Sequence, residues 1–264
     1  MGIIATVIII FLLPFIWMLW SSVDVKNGKR EKIEWKKPGI LFLSLILISV
    51  IVNTYFYNFY HLPFFQNSFE LMVVFIMAGA FLLFFAIINI IVSIKYKGAP
   101  KSFHNPKAIW IFTGVFCFVI LFFGTWVFPL GQKASYTYKL DKAIEALSEE
   151  ETNEEVSVLF MNSEQECLRR QTSSCYNEEY SNYFYVKNNL DEEKEVQVRI
   201  RALDANQNEL KIVESNIMTL DGGELRLVET EETNDRSNVW SRSSFKTDIR
   251  THYYESMFRF RDVE

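Results

Sequence analysis

Apolar positions run unbroken four times in the first half of this chain, and alternate with polar positions in the second. The unbroken runs are Gly2–Trp20, Gly39–Tyr60, Leu71–Ile94 and Ala108–Phe128, and none contains Asp, Glu, Lys or Arg. A helix rises ~1.5 Å per residue, so about 20 apolar residues cross the ~30 Å hydrocarbon layer of a bilayer. Each run therefore predicts a membrane-spanning helix. Prolines punctuate them: Pro38 and Pro106 where the second and fourth begin, Pro63 and Pro129 just past their ends, with Pro14 inside the first. Proline has no N–H and crowds the preceding turn, which suits it to first turns and to positions beyond a helix end.

Beyond Pro129, Leu140, Ile144 and Leu147 recur at helical spacing, predicting a helix over Ser135–Glu151 that continues the fourth span as a stalk. An acidic linker (Glu149, Glu150, Glu151, Glu154, Glu155) follows. From Val156 the period changes to two. Val196, Val198, Ile200 and Ala202 alternate with Gln197, Arg199 and Arg201, and Tyr254, Ser256, Phe258 and Phe260 alternate with Glu255, Met257, Arg259 and Arg261. Such alternation marks strands with one buried face. Further strands are expected at Val156–Met161, Tyr183–Lys187, Leu210–Val213, Ile217–Leu220, Leu225–Val228 and Trp240–Ile249, with turns at 204–208 and 221–223. The organisation is thus an α+β membrane protein: four helices over residues 1–130, a stalk and linker over 131–155, and an antiparallel β-sandwich over 156–264. The run from Tyr183 to Val228, with its aromatic strand, Asn-Asn-Leu turn, valine-alternating strand and Leu-Asp-Gly-Gly-Glu turn, resembles the immunoglobulin-like or fibronectin-type modules that bacteria display outside their membranes. It lacks the Cys…Trp…Cys spacing of antibody domains. The resemblance implies a fold that binds or positions other molecules.

Charge separates the same two halves. Residues 1–130 hold ten Lys/Arg and four Asp/Glu, a balance of +6; residues 131–264 hold seventeen and twenty-eight, a balance of −11. The first loop carries Lys26, Lys29, Arg30, Lys32, Lys36 and Lys37, and the third carries Lys95, Lys97, Lys101 and Lys107, whereas 61–70 has no Lys or Arg. The positive-inside rule places loops one and three in the cytoplasm, hence both termini and residues 131–264 outside. No basic segment precedes the first run, so it is expected to stay as an anchor with its N-terminus outside. The absence of any Asn-x-Ser/Thr acceptor fits a bacterial cell-membrane protein.

Candidate chemistry is sparse. No catalytic motif, metal-ligand spacing or cofactor fingerprint occurs; the expectation is no enzyme, no cofactor and no metal. His61, His104 and His252 fall on three different segments. Cys167 and Cys175 suit a structural disulfide in an oxidising exterior, with free thiols the alternative. The charge-free spans lack the intramembrane carboxylates, His or Lys of ion-coupled transporters. Asn53, Asn58 and Asn89 are the candidates for a polar path, against a packing role in which Asn53 and Asn89 hydrogen-bond between helices. An acidic outer domain repels phosphate, so no nucleic acid is expected as partner. The expected partners are the lipid bilayer and another membrane or envelope protein. The reading is an accessory, sensor or immunity-type subunit whose sandwich binds a ligand or partner; the alternative is a small permease or channel subunit.

Overall fold

The computed structural model describes residues 2–96, 106–149, 155–165, 179–234 and 237–262. By contact the chain forms two units, Met1–Thr137 with Asn238–Trp240, and Tyr138–Ser237 with Ser241–Glu264.

The first unit is built on α1 (Ile3–Lys26), α2 (Lys36–Tyr60), α3 (Ser68–Lys95) and α4 (Pro106–Phe122), which runs through a π-helical turn (Phe123–Val127) into α5 (Phe128–Glu149). Four helices are long and apolar enough to cross a membrane. Their outward surface is as apolar as their contacts: Leu19, Leu47 and Ile94 are 68%, 66% and 72% exposed. A helix apolar all round belongs in a protein core or in lipid. Asn67 caps α3, its side chain accepting from the Glu70 N–H at 2.9 Å. In the loop between α1 and α2, Glu34 pairs with Arg30 (2.7 Å) and Lys37 (3.0 Å), and hydrogen bonds from Lys37 first and Arg30 second hold its carboxyl below the usual range.

Pro129 departs from expectation, because the helix does not stop there. In a regular α-helix its ring would press on the carbonyl four residues back, at Thr125. The π turn directly before it widens the ladder at that point, and the helix continues to Glu149. Small residues admit close helix approach within this turn and one turn beyond it. A Cβ at Gly124 would lie 2.7 Å from Val74 Cγ1, and one at Gly131 would lie 3.1 Å from Ile4 Cα.

The second unit holds two four-stranded antiparallel sheets. In sheet 1, β2 (Tyr180–Asn188) is central, with β1 (Val156–Gln165) along one side and β6 (Leu225–Leu227) and β7 (Phe245–Thr247) sharing the other. In sheet 2, β3 (Lys194–Leu203) is central, with β8 (Tyr253–Asp262) along one side and β4 (Glu209–Glu214) and β5 (Met218–Leu220) sharing the other. Val156, Phe184 and Val186 from sheet 1 and Val196, Val198 and Ile200 from sheet 2 belong to one buried core. Phe184 stacks on Phe245 at 5.4 Å and meets Tyr254 edge-on at 5.4 Å. The Tyr254 hydroxyl donates to the Val158 carbonyl at 2.8 Å, linking the sheets directly.

The turns follow their residues. Asp204 accepts from the backbone N–H groups of Asn206 and Asn208. The Asn208 side chain, then these N–H groups, hold its carboxyl below the ordinary range. Asn188 is fully buried, and its amide nitrogen lies within hydrogen-bond distance of the carbonyls of Glu192 (2.7 Å), Leu220 (3.2 Å) and Asp221 (3.2 Å) while its oxygen accepts from Leu190 N–H. Asn188→Ala strips these bonds from two connections at once, β2–β3 and β5–β6. Stranded buried carbonyls cost roughly 1–3 kcal/mol each, so thermal unfolding of this unit should show a loss of about 3 kcal/mol.

Two expected strands are revised. Trp240–Ile249 shortens to Phe245–Thr247, and Val239–Ser241 is a 3₁₀ turn instead. Trp240 packs in the core of the helical unit, with Phe11, Phe56, Leu62, Val127 and Leu130, which removes it from the sheet. Ile217 falls outside β5 and is 59% exposed.

Candidate functional site

The helical unit carries one buried cation, which the charge-free spans do not announce. Lys133 on α5 is 1% exposed. Its ammonium donates to Asn53 Oδ1 on α2 at 2.9 Å and to the Phe64 carbonyl in the α2–α3 connection at 2.8 Å, and lies 4.9 Å from the centre of the Trp240 ring. No carboxylate pairs with it among the described residues. Asn53 is oriented by its own amide, which donates to the Ser49 carbonyl at 3.1 Å. One turn away, Ser49 Oγ accepts from Trp126 Nε1 at 2.8 Å. Ser49 and Asn53 lie four apart on α2, and Trp126 and Lys133 seven apart on the facing helix. Both spacings keep the pairs on one helix face. Trp240 is fixed from its other end, donating to Gln132 Oε1 at 3.1 Å, and Asn238 Oδ1 accepts from the Asn67 N–H at 2.7 Å.

This node is a clamp. A desolvated ammonium is costly unless each N–H has a partner, and here an amide oxygen, a carbonyl and an indole face share that task. Asn53, the α2–α3 connection, α5 and the 3₁₀ turn at Val239–Ser241 all meet it. Gln66 Nε2 and Asn238 Nδ2 are buried without a partner among the described residues.

The three candidate asparagines do not come together. Asn53 is buried in the clamp, while Asn58, five residues on, is exposed about 140° round the helix. Asn89 is buried on α3 with its carbonyl oxygen unpartnered among the described residues. Cys167 and Cys175 lie outside the described residues. Sequence reading missed Lys133 because Pro129 seemed to end the span. The available signal was periodicity, since Trp126, Leu130, Lys133 and Thr137 recur at three- and four-residue steps.

The second unit offers a surface. Val196, Val198 and Ile200 turn inward, so Glu195, Gln197, Arg199 and Arg201 point out of sheet 2. Beside them on β8 stand Glu255, Met257, Arg259 and Arg261. Two shallow grooves cross this face, one lined by Arg199, Glu214, Met257 and Phe258, the other by Glu195, Ile217, Phe260 and Arg261; Gln197 and Arg259 contribute to both. Met257 is 65% exposed. The arginines differ in their partners. Arg201 bonds Glu209 and Glu255, and Arg261 bonds Glu195. Arg259 bonds the neutral Gln197, its Nε at 2.9 Å.

Among the described residues no three His, Cys, Asp or Glu side chains gather as a metal site requires. No known family model, curated protein or solved structure matches this chain.

Proposed function

We propose that this chain is a non-enzymatic, multi-pass cell-membrane protein whose C-terminal unit is an extracytoplasmic, immunoglobulin-like β-sandwich that binds a partner protein of the envelope. It acts as an accessory, sensor or immunity-type subunit. The lipid-facing character of the four helices supports the membrane placement. Ten Lys/Arg in the first and third loops support a cytoplasmic position for those loops, with both termini outside. The observation that carries the binding role is the outward face of sheet 2. Ile217, Tyr253 and Met257 stand exposed there among Arg199, Arg259 and Arg261. Exposed Met and aromatic side chains interleaved with Arg are enriched at protein-binding surfaces. Asn53 is occupied by Lys133, and this favours a binding module over a permease.

A photocrosslinking amino acid at Ile217, in the full chain in living cells, is expected to capture one envelope protein in high yield. The same group at Lys187 on sheet 1 should not, and Arg261→Glu should reduce capture at least tenfold. Equal capture from both positions, or none from Ile217, would remove the basis of this reading.

A further inference from the structure

We propose that β8 is a dimerisation edge, at which two copies of this chain pair antiparallel about a two-fold axis through Met257. The inference concerns the edge of sheet 2, and does not depend on whether the sheet's face binds another protein.

Among the described residues β8 pairs with β3 alone, in an unbroken register from Lys194↔Asp262 to Leu203↔Tyr253. Proteins usually blunt such edges with bulges, prolines, lysines or short strands. The corresponding edge strand of sheet 1, β1, is bulged between Phe160 and Asn162. β8 is ten residues long, with no bulge, proline or lysine. Its outer edge, which no described strand pairs, forms a template for another strand.

The side chains select the occupant. Tyr254 and Phe258 pack toward the core, so Tyr253, Glu255, Met257, Arg259 and Arg261 share the outer face. With the axis on Met257, each Glu255 faces Arg259 of the second copy, each Tyr253 faces Arg261, and the two Met257 side chains meet. On the inner side Tyr254 faces Phe260 and Ser256 faces Phe258. Directly opposed opposite charges and aromatic pairs are the units that stabilise antiparallel strands. Moving the axis to Glu255 or to Arg259 sets like charges against each other. Moving it to Phe258 gives Glu255 to Arg261, which already holds Glu195. The Met257 register supplies a carboxylate to Arg259, the guanidinium that among the described residues of one chain bonds the neutral Gln197. It also places Glu255 between Arg201 of its own chain, at 3.0 Å, and Arg259 of the other. An isologous contact closes on itself and gives a dimer, not a fibre.

The test uses full-length chains carrying two different tags, co-expressed and extracted from the membrane. Wild-type chains should co-purify, whereas Arg259→Glu alone or Glu255→Arg alone should cut self-association at least tenfold. Co-expressing R259E with E255R should restore it, because both 255–259 pairs across the strands are then opposite in sign. That rescue also shows that both variants fold. Met257→Cys should form a disulfide-linked dimer under mild oxidation, above the background of the native cysteines. Tyr253→Cys should not, since its copies would lie roughly 26 Å apart at ~3.3 Å per residue. Wild-type chains that fail to co-purify, R259E that associates normally, or absence of rescue would each overturn the proposal.

Discussion

Asn53→Leu is expected to destabilise the helical unit by roughly 2–4 kcal/mol, because it removes an acceptor from a buried ammonium and leaves the charge in place. Lys133 would retain the Phe64 carbonyl and the Trp240 ring, and a leucine of similar size would occupy the amide's place. The diagnostic result is the double variant. Lys133→Met on the Asn53→Leu background removes the stranded charge along with its partner, and replacing both members of a buried polar pair by apolar groups is close to neutral. Thermal unfolding of the detergent-purified chain should therefore place N53L well below wild type and N53L/K133M much nearer to it. The coupling energy of the cycle should exceed ~1 kcal/mol. Equal losses in N53L and in the double variant would mean that the asparagine and the lysine act independently. Asn58→Leu, on an exposed part of the same helix, serves as the control and should change little.

Gly222→Ala should be the most damaging small substitution in the sheet unit. The turn at Asp221–Glu224 closes with Glu224 N–H donating to the Asp221 carbonyl at 3.0 Å, and Gly223 N–H reaches across to the Leu190 carbonyl at 3.0 Å. This crossing brings two backbones together. A Cβ on Gly222 would sit 2.3 Å from the Asp191 carbonyl oxygen and 2.5 Å from its carbon. Both obstacles are main chain, so no rotamer change relieves them. Displacing the turn also pulls on Asn188, whose amide nitrogen lies within reach of the Leu220 and Asp221 carbonyls. A loss of roughly 2–4 kcal/mol is expected, in the range for steric conflict in a packed structure. Gly223→Ala should cost less, about 1–2 kcal/mol, because its demand is a left-handed backbone (φ +75°) in open space. Chemical denaturation of the full chain, followed by proteolytic cleavage within the sheet unit, orders the two. If Gly223→Ala proved the more harmful, backbone conformation and not close approach would govern this turn.

The helices and most of the strands were legible because each depends on a short-range pattern. Runs without charge mark α1 to α4, and the alternation of β3 reflects one buried and one more exposed face. In β8 the inner positions Tyr254 and Phe258 are half-buried, while Ser256 and Phe260 are exposed. Where neighbours from distant sequence cover both faces, the pattern fails. β2 buries Phe184, Tyr185 and Val186 in succession, so side chains on both of its faces are covered. Trp240 looked like the start of a strand, yet its ring belongs to the helical core beside Lys133. Pro129 looked like a stop signal, and a π turn carries the helix past it.

The number and apolarity of the helices, the opposite charge of the two halves and the period-two character of the second follow from composition and spacing along a few turns or a single strand. That Asn53 holds Lys133, that Gly222 lies against Asp191, and that Arg259 has a neutral partner on an open edge emerge only in the folded molecule. Those pairings join residues up to 80 positions apart, and no local propensity encodes which of many equally polar side chains will meet once the backbone has folded.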